Sequence, residues 1–339
     1  MRSLKPVIAL IVCGAICFVL MSAPTHTLQS QPPLQPIYAD PGLGFFTPLQ
    51  WSSDSAQLIF QASILADTPQ EMQQGWHIYT VETQQLSPVP RNPTLPILTA
   101  TQGELLGVAD YEYLNGSVSP NGRYLVYSAP KTAGQWRDGR PLIGLTDLIS
   151  GETMIINLPL ALWNIKWSKS NNAFIIETDS YYACCFLFYF SDFAVSVKEV
   201  QSVIVSDVLS VDGRLGAAAL AYDLSADGQK LLIGTFTSLA VWDITHPPEV
   251  TSFGSRDVIA NGAIFSDDGR TVLYVTKTGL YRYDLETQQT STVSLQAGTD
   301  LLAEAPKAAI APNGKYLAII YSPIGSSGGK IYILEVAQP

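Results

Sequence analysis

Histidine is nearly missing from this 339-residue chain: there are three, at His26, His77 and His246. A His-rich metal centre is thereby excluded, and nothing in their spacing pairs them as ligands or as a general base. Cysteine is almost as scarce, with four in all, and Cys13 and Cys17 lie in the apolar amino-terminal stretch. Only Cys184 and Cys185 remain for the body, so no framework of separated disulfides is available and stability must come from packing. As neighbours on a strand these two point to opposite faces and read as small half-buried hydrophobes, with a vicinal disulfide or redox pair as the alternative. Positive charge is also thin. Lys plus Arg number 19 against 29 Asp plus Glu, giving a net charge of −10, and leaving out Arg2 and Lys5 makes it −12. A chain this acidic lacks the basic surface that releases counterions from a phosphate backbone, which argues against nucleic acid as a partner. Charged residues are 14% of the total and hydrophobic residues 47%, which excludes intrinsic disorder.

What is present begins with an export signal. Arg2 and Lys5 precede the apolar run Val7 to Met21, the pattern of a secretory signal or a short signal anchor. The run is short for a full span, while Pro24 directly after Ala23 is poor cleavage chemistry, so residues 1–23 read as either a cleaved signal peptide or a retained anchor. Val12 and Ile16 precede the two cysteines where a lipobox wants a small residue, which disfavours a lipoprotein. Residues 24–36 are polar and proline-rich, a spacer between a membrane and a folded body spanning 37–339. The expected location is periplasmic or extracellular, with membrane contact only through the amino-terminal segment.

The body is organised by a sixfold repeat: an apolar residue, Ser, any residue, Asp or Asn, Gly, two more, then an apolar strand. The copies start at Trp51, Val118, Trp167, Leu224, Phe265 and Ile310, with Ser52, Ser119, Ser168, Ser225 and Ser266 at the Ser position and Ala311 in the last. Asp54, Asn121, Asn171, Asp227, Asp268 and Asn313 supply the side chains that bond the backbone ahead, and Gly122, Gly228, Gly269 and Gly314 supply positive φ for a tight hairpin. Blade three has Ser170-Asn171 in place of Asp-Gly, and blade one has Ser55 for Gly. Three consecutive positions after each turn are apolar, as in Leu58-Ile59-Phe60 and Leu125-Val126-Tyr127, so these strands should be buried on both faces. A second apolar strand follows each: His77 to Val81, Leu142 to Leu148, Cys185 to Phe190, Leu239 to Ile244, Gly279 to Leu285 and Lys330 to Val336. Several close on an acidic turn such as DLISGE from Asp147 or DLETQQ from Asp284.

The mean repeat is about 52 residues against about 40–45 for a four-stranded propeller blade, the excess being loop insertion. The expected fold is therefore all-β: a six-bladed β-propeller of four-stranded blades, with seven blades disfavoured because residues 86–116 are too few for another. The last repeat ends before its outer strand. The apolar stretch Ile37 to Phe46 can supply it and so close the ring by pairing the two ends.

The run Ser119-Pro120-Asn121-Gly122-Arg123-Tyr124-Leu125-Val126-Tyr127 resembles the S-P-D-G-x-x-[LI]-[AV]-[YF] blade signature of exported TolB-like, WD-repeat-like six-bladed β-propellers, a resemblance covering about residues 37 to 338. It implies a fold and leaves the chemistry open. Families that look like this serve as interaction platforms in envelope complexes, as sensor domains, or as propellers gating an attached serine peptidase domain, and no such domain follows here.

Other motifs reduce to turns and loops. Gly325-Ser326-Ser327-Gly328-Gly329 formally matches G-x-S-x-G but joins two strands, and with Ile324 ahead of Gly325 and Lys330 behind it also fails as a phosphate loop. The Asp and Asn residues of the six turns are turn formers, spread too widely to be a calcium site. Asn115-Gly116-Ser117 is a formal glycosylation acceptor. No catalytic residue, metal or cofactor is assigned. The informative feature is length: Gln61 to Trp76, Ser128 to Pro141 and Tyr321 to Gly329 are long loops, as are the links Leu86 to Gly116 and Lys198 to Gly216. They elaborate one rim carrying Trp76, Tyr111, Tyr113, Trp136, Arg137 and Arg140, residue types enriched at binding hot spots, although aromatics also pin long loops onto themselves. The first expectation is a noncatalytic platform for a protein or peptide partner. The alternative is a small-molecule or sugar sensor, or a lyase or hydrolase, using the axial funnel.

Overall fold

A computed structural model describes residues 34–40, 43, 49–63, 74–89, 93, 116–128, 136–137, 140–141, 143–156, 162–178, 185–190, 200–204, 220–234, 238–243, 250–254, 257–323 and 328–337. The chain divides into two units, Met1–Pro33 and Leu34–Pro339. Residues 1–33, which hold the expected signal and most of the expected spacer, lie outside the described residues. Among the described residues no helix is long and apolar enough to cross a membrane.

The body is all-β. A short strand β1 (Tyr38–Asp40) precedes a first four-stranded sheet of β2 (Leu49–Trp51), β3 (Gln57–Ser63), β4 (Gln74–Thr80) and β5 (Gln85–Val89). The second sheet holds β6 (Gly116–Val118), β7 (Tyr124–Ser128), β10 (Ile143–Asp147) and β11 (Thr153–Ile156), with a two-stranded hairpin, β8 (Trp136–Arg137) and β9 (Arg140–Pro141), inserted between β7 and β10. The third runs β12 (Leu162–Trp167), β13 (Ala173–Thr178), β14 (Cys185–Phe190) and β15 (Val200–Ile204), and the fourth β16 (Leu220–Leu224), β17 (Lys230–Gly234), β18 (Leu239–Asp243) and β19 (Val250–Phe253). The remaining strands are β20 (Val258–Phe265), β21 (Thr271–Thr276), β22 (Gly279–Asp284), β23 (Thr290–Val293), β24 (Lys307–Ile310), β25 (Tyr316–Tyr321) and β26 (Gly329–Glu335). They form one sheet in the order β1-β26-β25-β24-β20-β21-β22-β23, two antiparallel groups of four joined by a single parallel bridge, Ala260 to Lys307. Each group of four is a meander built on one copy of the repeat.

The anticipated pairing of the two ends is present: Tyr38, Ala39 and Asp40 lie antiparallel to Ile331, Lys330 and Gly329, making β1 the outer strand of the sixth unit. The first strands of successive units are neighbours for the second and third, third and fourth, fourth and fifth, fifth and sixth, and sixth and first. Apolar clusters span several of these seams. Tyr124, Val126, Ile143 and Leu145 meet Phe174 and Ile176 between units two and three, and Leu49, Trp51, Leu58 and Phe60 meet Ala309, Ala318 and Ile320 between units one and six. The middle residues Ile59, Val126, Ile175, Leu232, Leu273 and Ala318 are all buried, as continuous apolar strands are when sheets stack face to face.

The turns follow one pattern, and the serine is as much a part of it as the Asp and Gly. Ser225 Oγ donates to Asp227 Oδ1 at 2.6 Å and accepts from Lys230 N at 2.8 Å, while Asp227 Oδ1 accepts from Gln229 N at 3.0 Å. The same three bonds recur at Ser52, Ser119 and Ser266. Gly122, Gly228, Gly269 and Gly314 take φ between 65° and 74°, with Ser55 at 62° and Asn171 at 64° in the same slot. Asn171 thus stands where the glycine would be, and the acceptor for Ser168 Oγ is Asn172 Oδ1 at 2.8 Å.

Four expectations about loops are corrected. Trp76 is not in a loop: the β3–β4 ladder extends through Gln61 opposite Trp76 to Ser63 opposite Gln74. The link Leu86 to Gly116 contains most of β5, and the link Lys198 to Gly216 contains β15, because each unit needs a fourth strand to cover its third. The span Ser128 to Pro141 is partly ordered as β8 and β9.

Candidate functional site

The expected rim residues are placed in part. Trp136 pairs with Pro141 and Arg137 with Arg140 across the β8–β9 hairpin, which lies outside the four strands its unit requires. Trp76 is half-buried on β4, opposite Gln61 on one side and Val89 on the other. Tyr111 and Tyr113 lie outside the described residues, as do Cys184 and the side chain of Cys185. At the opposite end of the second unit, the turn between β10 and β11 is set by Asp147, whose Oδ1 accepts from Ile149 N at 2.9 Å and Ser150 N at 3.3 Å. That turn leaves Ile149 77% exposed, and Ile155 of β11 is exposed as well. Asp147 also receives Arg123 through Nε and Nη2 at 3.0 and 2.7 Å. Burial works to raise the Asp147 pKa, but the Arg123 guanidinium and the two turn amides outweigh it and hold the carboxyl below its ordinary range.

A second location emerges where four units converge at the turn end. A cavity of about 140 Å³ is bordered by Trp167 and Lys169 of the third unit, Asp223 and Ala226 of the fourth, Asp267 of the fifth and Pro312 of the sixth. It adjoins a larger cleft of about 320 Å³ between units five and six, which Arg282, Asp268 and Asn313 also line; the two share the wall from Ile264 to Asp267 and Pro312. Lys169 and Asp267, both largely exposed, form an ion pair that passes over the fourth unit from the third to the fifth. The repeat explains the convergence. Lys169, Ala226, Asp267 and Pro312 all occupy the position after the repeat serine, so one register brings them to one mouth.

Below that mouth the first strands are tied to each other. Asp223 Oδ2 accepts from Phe265 N of the fifth unit at 2.8 Å, and its Oδ1 from Leu224 N at 2.9 Å. Lys166 Nζ donates to the carbonyl of Tyr222 at 2.7 Å, from the third unit to the fourth. Trp51 Nε1 and Trp167 Nε1, equivalent in the repeat, donate to the equivalent carbonyls of Ala309 and Ser117 in the preceding units at 2.8 and 3.4 Å. Burial of the Asp223 carboxyl pushes its pKa up to about 6, against the pull of the Phe265 amide and the Lys166 and Lys169 charges. Sequence reasoning missed Lys166, Lys169, Asp223 and Asp267. The legible signal was a column of charges at two repeat positions otherwise filled by small, polar or apolar residues.

His77 is buried within β4, stacked on Phe60 at 5.3 Å and against Tyr38 of β1 at 4.9 Å. His246 lies outside the described residues. No group of three or more His, Cys, Asp and Glu that could hold a metal occurs among the described residues.

No family model and no curated protein matches the chain. Among solved structures, the β-propeller domain of Myceliophteria thermophila Cps50 (Swd1) aligns over 86% of this chain and 85% of its own, with a TM-score of 0.43 and 13% sequence identity. At that level the likeness assigns neither family nor function, and the fold rests on the strand pairing described above.

Proposed function

We propose that the body is a six-bladed β-propeller serving as an interaction platform for a protein or peptide partner, exported and either released or held at a membrane by residues 1–23. The blade count rests on six four-stranded groups, one per repeat copy, and ring closure on the pairing of β1 with β26. The β8–β9 hairpin carries the platform reading. It is an insertion outside the four strands of its sheet, and it places Trp136, Arg137 and Arg140 on one short element. Affinity capture from native envelope extract tests it, with the full chain beside a Trp136→Ala, Arg137→Ala, Arg140→Ala variant. A partner retained by the first and lost by the second supports the rim, and identical capture by both sinks it. Protease accessibility in intact cells and after envelope disruption tests the location.

A second reading, binding of a small polar ligand at the turn-end mouth, is favoured by the adjoining cavities and their mixed lining of Lys169, Asp223, Asp267 and Arg282. Ligand-induced protection of the Phe265 segment from hydrogen exchange would separate the two readings.

A further inference from the structure

The third strand of every unit sets one residue directly opposite the middle core residue of its second strand. In five units that residue is apolar: Ile78, Leu145, Leu187, Val241 and Ile333. In the fifth unit it is Arg282, opposite Leu273. Leu145 and Val241 are buried and belong to the clusters that fill the seams to the third and fifth units. Leu280 lies two residues before Arg282, on the same face of β22, and belongs with Leu317, Ile319 and Leu334 of the sixth unit to one cluster. Arg282 thus lines the seam between units five and six. A charged fork cannot be sealed there as a leucine or valine can, and the cleft of about 320 Å³ opens at this point.

Arg282 is half-buried, and among the described residues its side chain makes no hydrogen bond and no ion pair. Its donors face the cleft unspent. The Thr271 hydroxyl lines the same space, and so does Asn313, whose Oδ1 takes the Lys315 amide at 2.9 Å and leaves Nδ2 to donate. At the turn end of the cleft stands Asp268. Its Oδ1 accepts from Ser266 Oγ at 2.6 Å and from Arg270 N at 3.0 Å, bonds that hold the carboxyl ionised, and its Oδ2 is uncommitted among the described residues. The neighbouring Asp267 is already paired with Lys169. One unpaired cation and one available anion therefore line a single cleft, with Leu273 and Val336 as apolar wall. A simple anion would meet Asp268 and a simple cation would meet Arg282. A molecule that carries both charges satisfies both, and the space is at the small end of ligand pockets, which run from about 300 to 1,000 Å³.

Building on the reading of a polar-ligand site at the turn-end mouth, we propose that the cleft between units five and six takes a small zwitterion of the amino-acid class. The carboxylate sits on the Arg282 fork, the ammonium group on Asp268, and an apolar side chain lies along Leu273 and Val336.

The test is titration of the full chain to millimolar L-leucine, followed at the Thr271 and Gly314 amides by NMR. Leucinamide, which lacks the carboxylate, and N-acetyl-leucine, which lacks the ammonium group, are run beside it. L-leucine should bind saturably, and each analogue should bind at least about tenfold more weakly. Arg282→Val installs the residue that the fourth unit has at this position, so it should keep a cooperative melt and lose the binding. Arg282→Lys should retain a weakened response. No response to L-leucine, an analogue that binds equally well, or saturable binding that persists in Arg282→Val overturns the zwitterion. Should that variant fail to fold, the analogue series on the unaltered chain decides. Glucose and inorganic phosphate are titrated in parallel: if either protects the Phe265 segment from exchange while leucine does not, the zwitterion falls and the turn-end site stands, and if no probe does so, both fall.

Discussion

Asn171 Oδ1 accepts the backbone amide of Asn121 at 2.8 Å, tying the turn of the third unit to the turn of the second. Its counterpart is Ser55, whose Oγ accepts the amide of Asn313 at 3.0 Å between the first and sixth units. These are the two turns in which a side chain replaces glycine, at φ of 64° and 62°. The substitutions that look like defects in the repeat are inter-unit clasps, each offsetting its left-handed backbone with a bond that glycine cannot make.

Asn171→Ala should therefore lose on both counts, keeping the strained backbone while leaving the Asn121 amide without its acceptor. A destabilisation of about 1–2 kcal/mol is expected. Asn171→Asp, which retains an acceptor oxygen, should recover most of it. Urea midpoints of the three proteins check this; an alanine variant as stable as the parent would show that the clasp contributes nothing.

The sixth turn has Ala311 in place of serine, yet Asn313 Oδ1 still accepts from Lys315 N at 2.9 Å. By equivalence with Ser225 and Lys230, a serine hydroxyl at 311 would meet the amide of Tyr316 and donate to Asn313. The site is buried, as are Ser119, Ser168 and Ser225. Ala311→Ser should stabilise the body by about 0.5–1 kcal/mol. A thermal melt raised by a few degrees is the expected reading, and a lowered one would mean the sixth turn has no room for the hydroxyl.

The repeat made the six units, their core strands and the β1–β26 pairing legible, since continuous apolar runs, Asx turns and glycine slots are local signals that one sequence carries. The serine could be seen to recur, but its double role could not, because the amide it accepts from lies five residues on across a turn. The mouth was less legible still. Lys169 and Asp267 are 98 residues apart, and they meet because equal repeat positions converge in space. The long link hid β5 because Gln85-Leu86-Ser87-Pro88-Val89 contains a proline and no apolar run, and every residue of it but Val89 is exposed.

Gly144 faces Tyr127 directly across β10 and β7, and a β-carbon there would lie 2.4 Å from the tyrosine Cζ. The ring is buried and has nowhere to go. Gly144→Ala should cost about 1–3 kcal/mol by overpacking. In a Tyr127→Val background the same change should cost far less, and a double-mutant cycle with no coupling would contradict the contact.

His77 sets a pH response of its own. Burial is the leading influence and lowers its pKa, outweighing the upward pull of the Gly75 carbonyl and the Asp40 charge. A histidine held neutral in this way contributes stability that is complete above its unfolded pKa of about 6.5 and is lost as pH falls from there through the lowered folded value. The strain falls on β1, since Tyr38 packs on both His77 and Phe60 and the Ile37 amide bonds the Ile331 carbonyl at 2.8 Å. Protection of the Ile37 amide, corrected for intrinsic exchange, should thus fall in acid. His77→Phe, which keeps the stacked ring and removes the titrating group, should abolish that response. An acid response at Ile37 that survives in that variant overturns the assignment to His77.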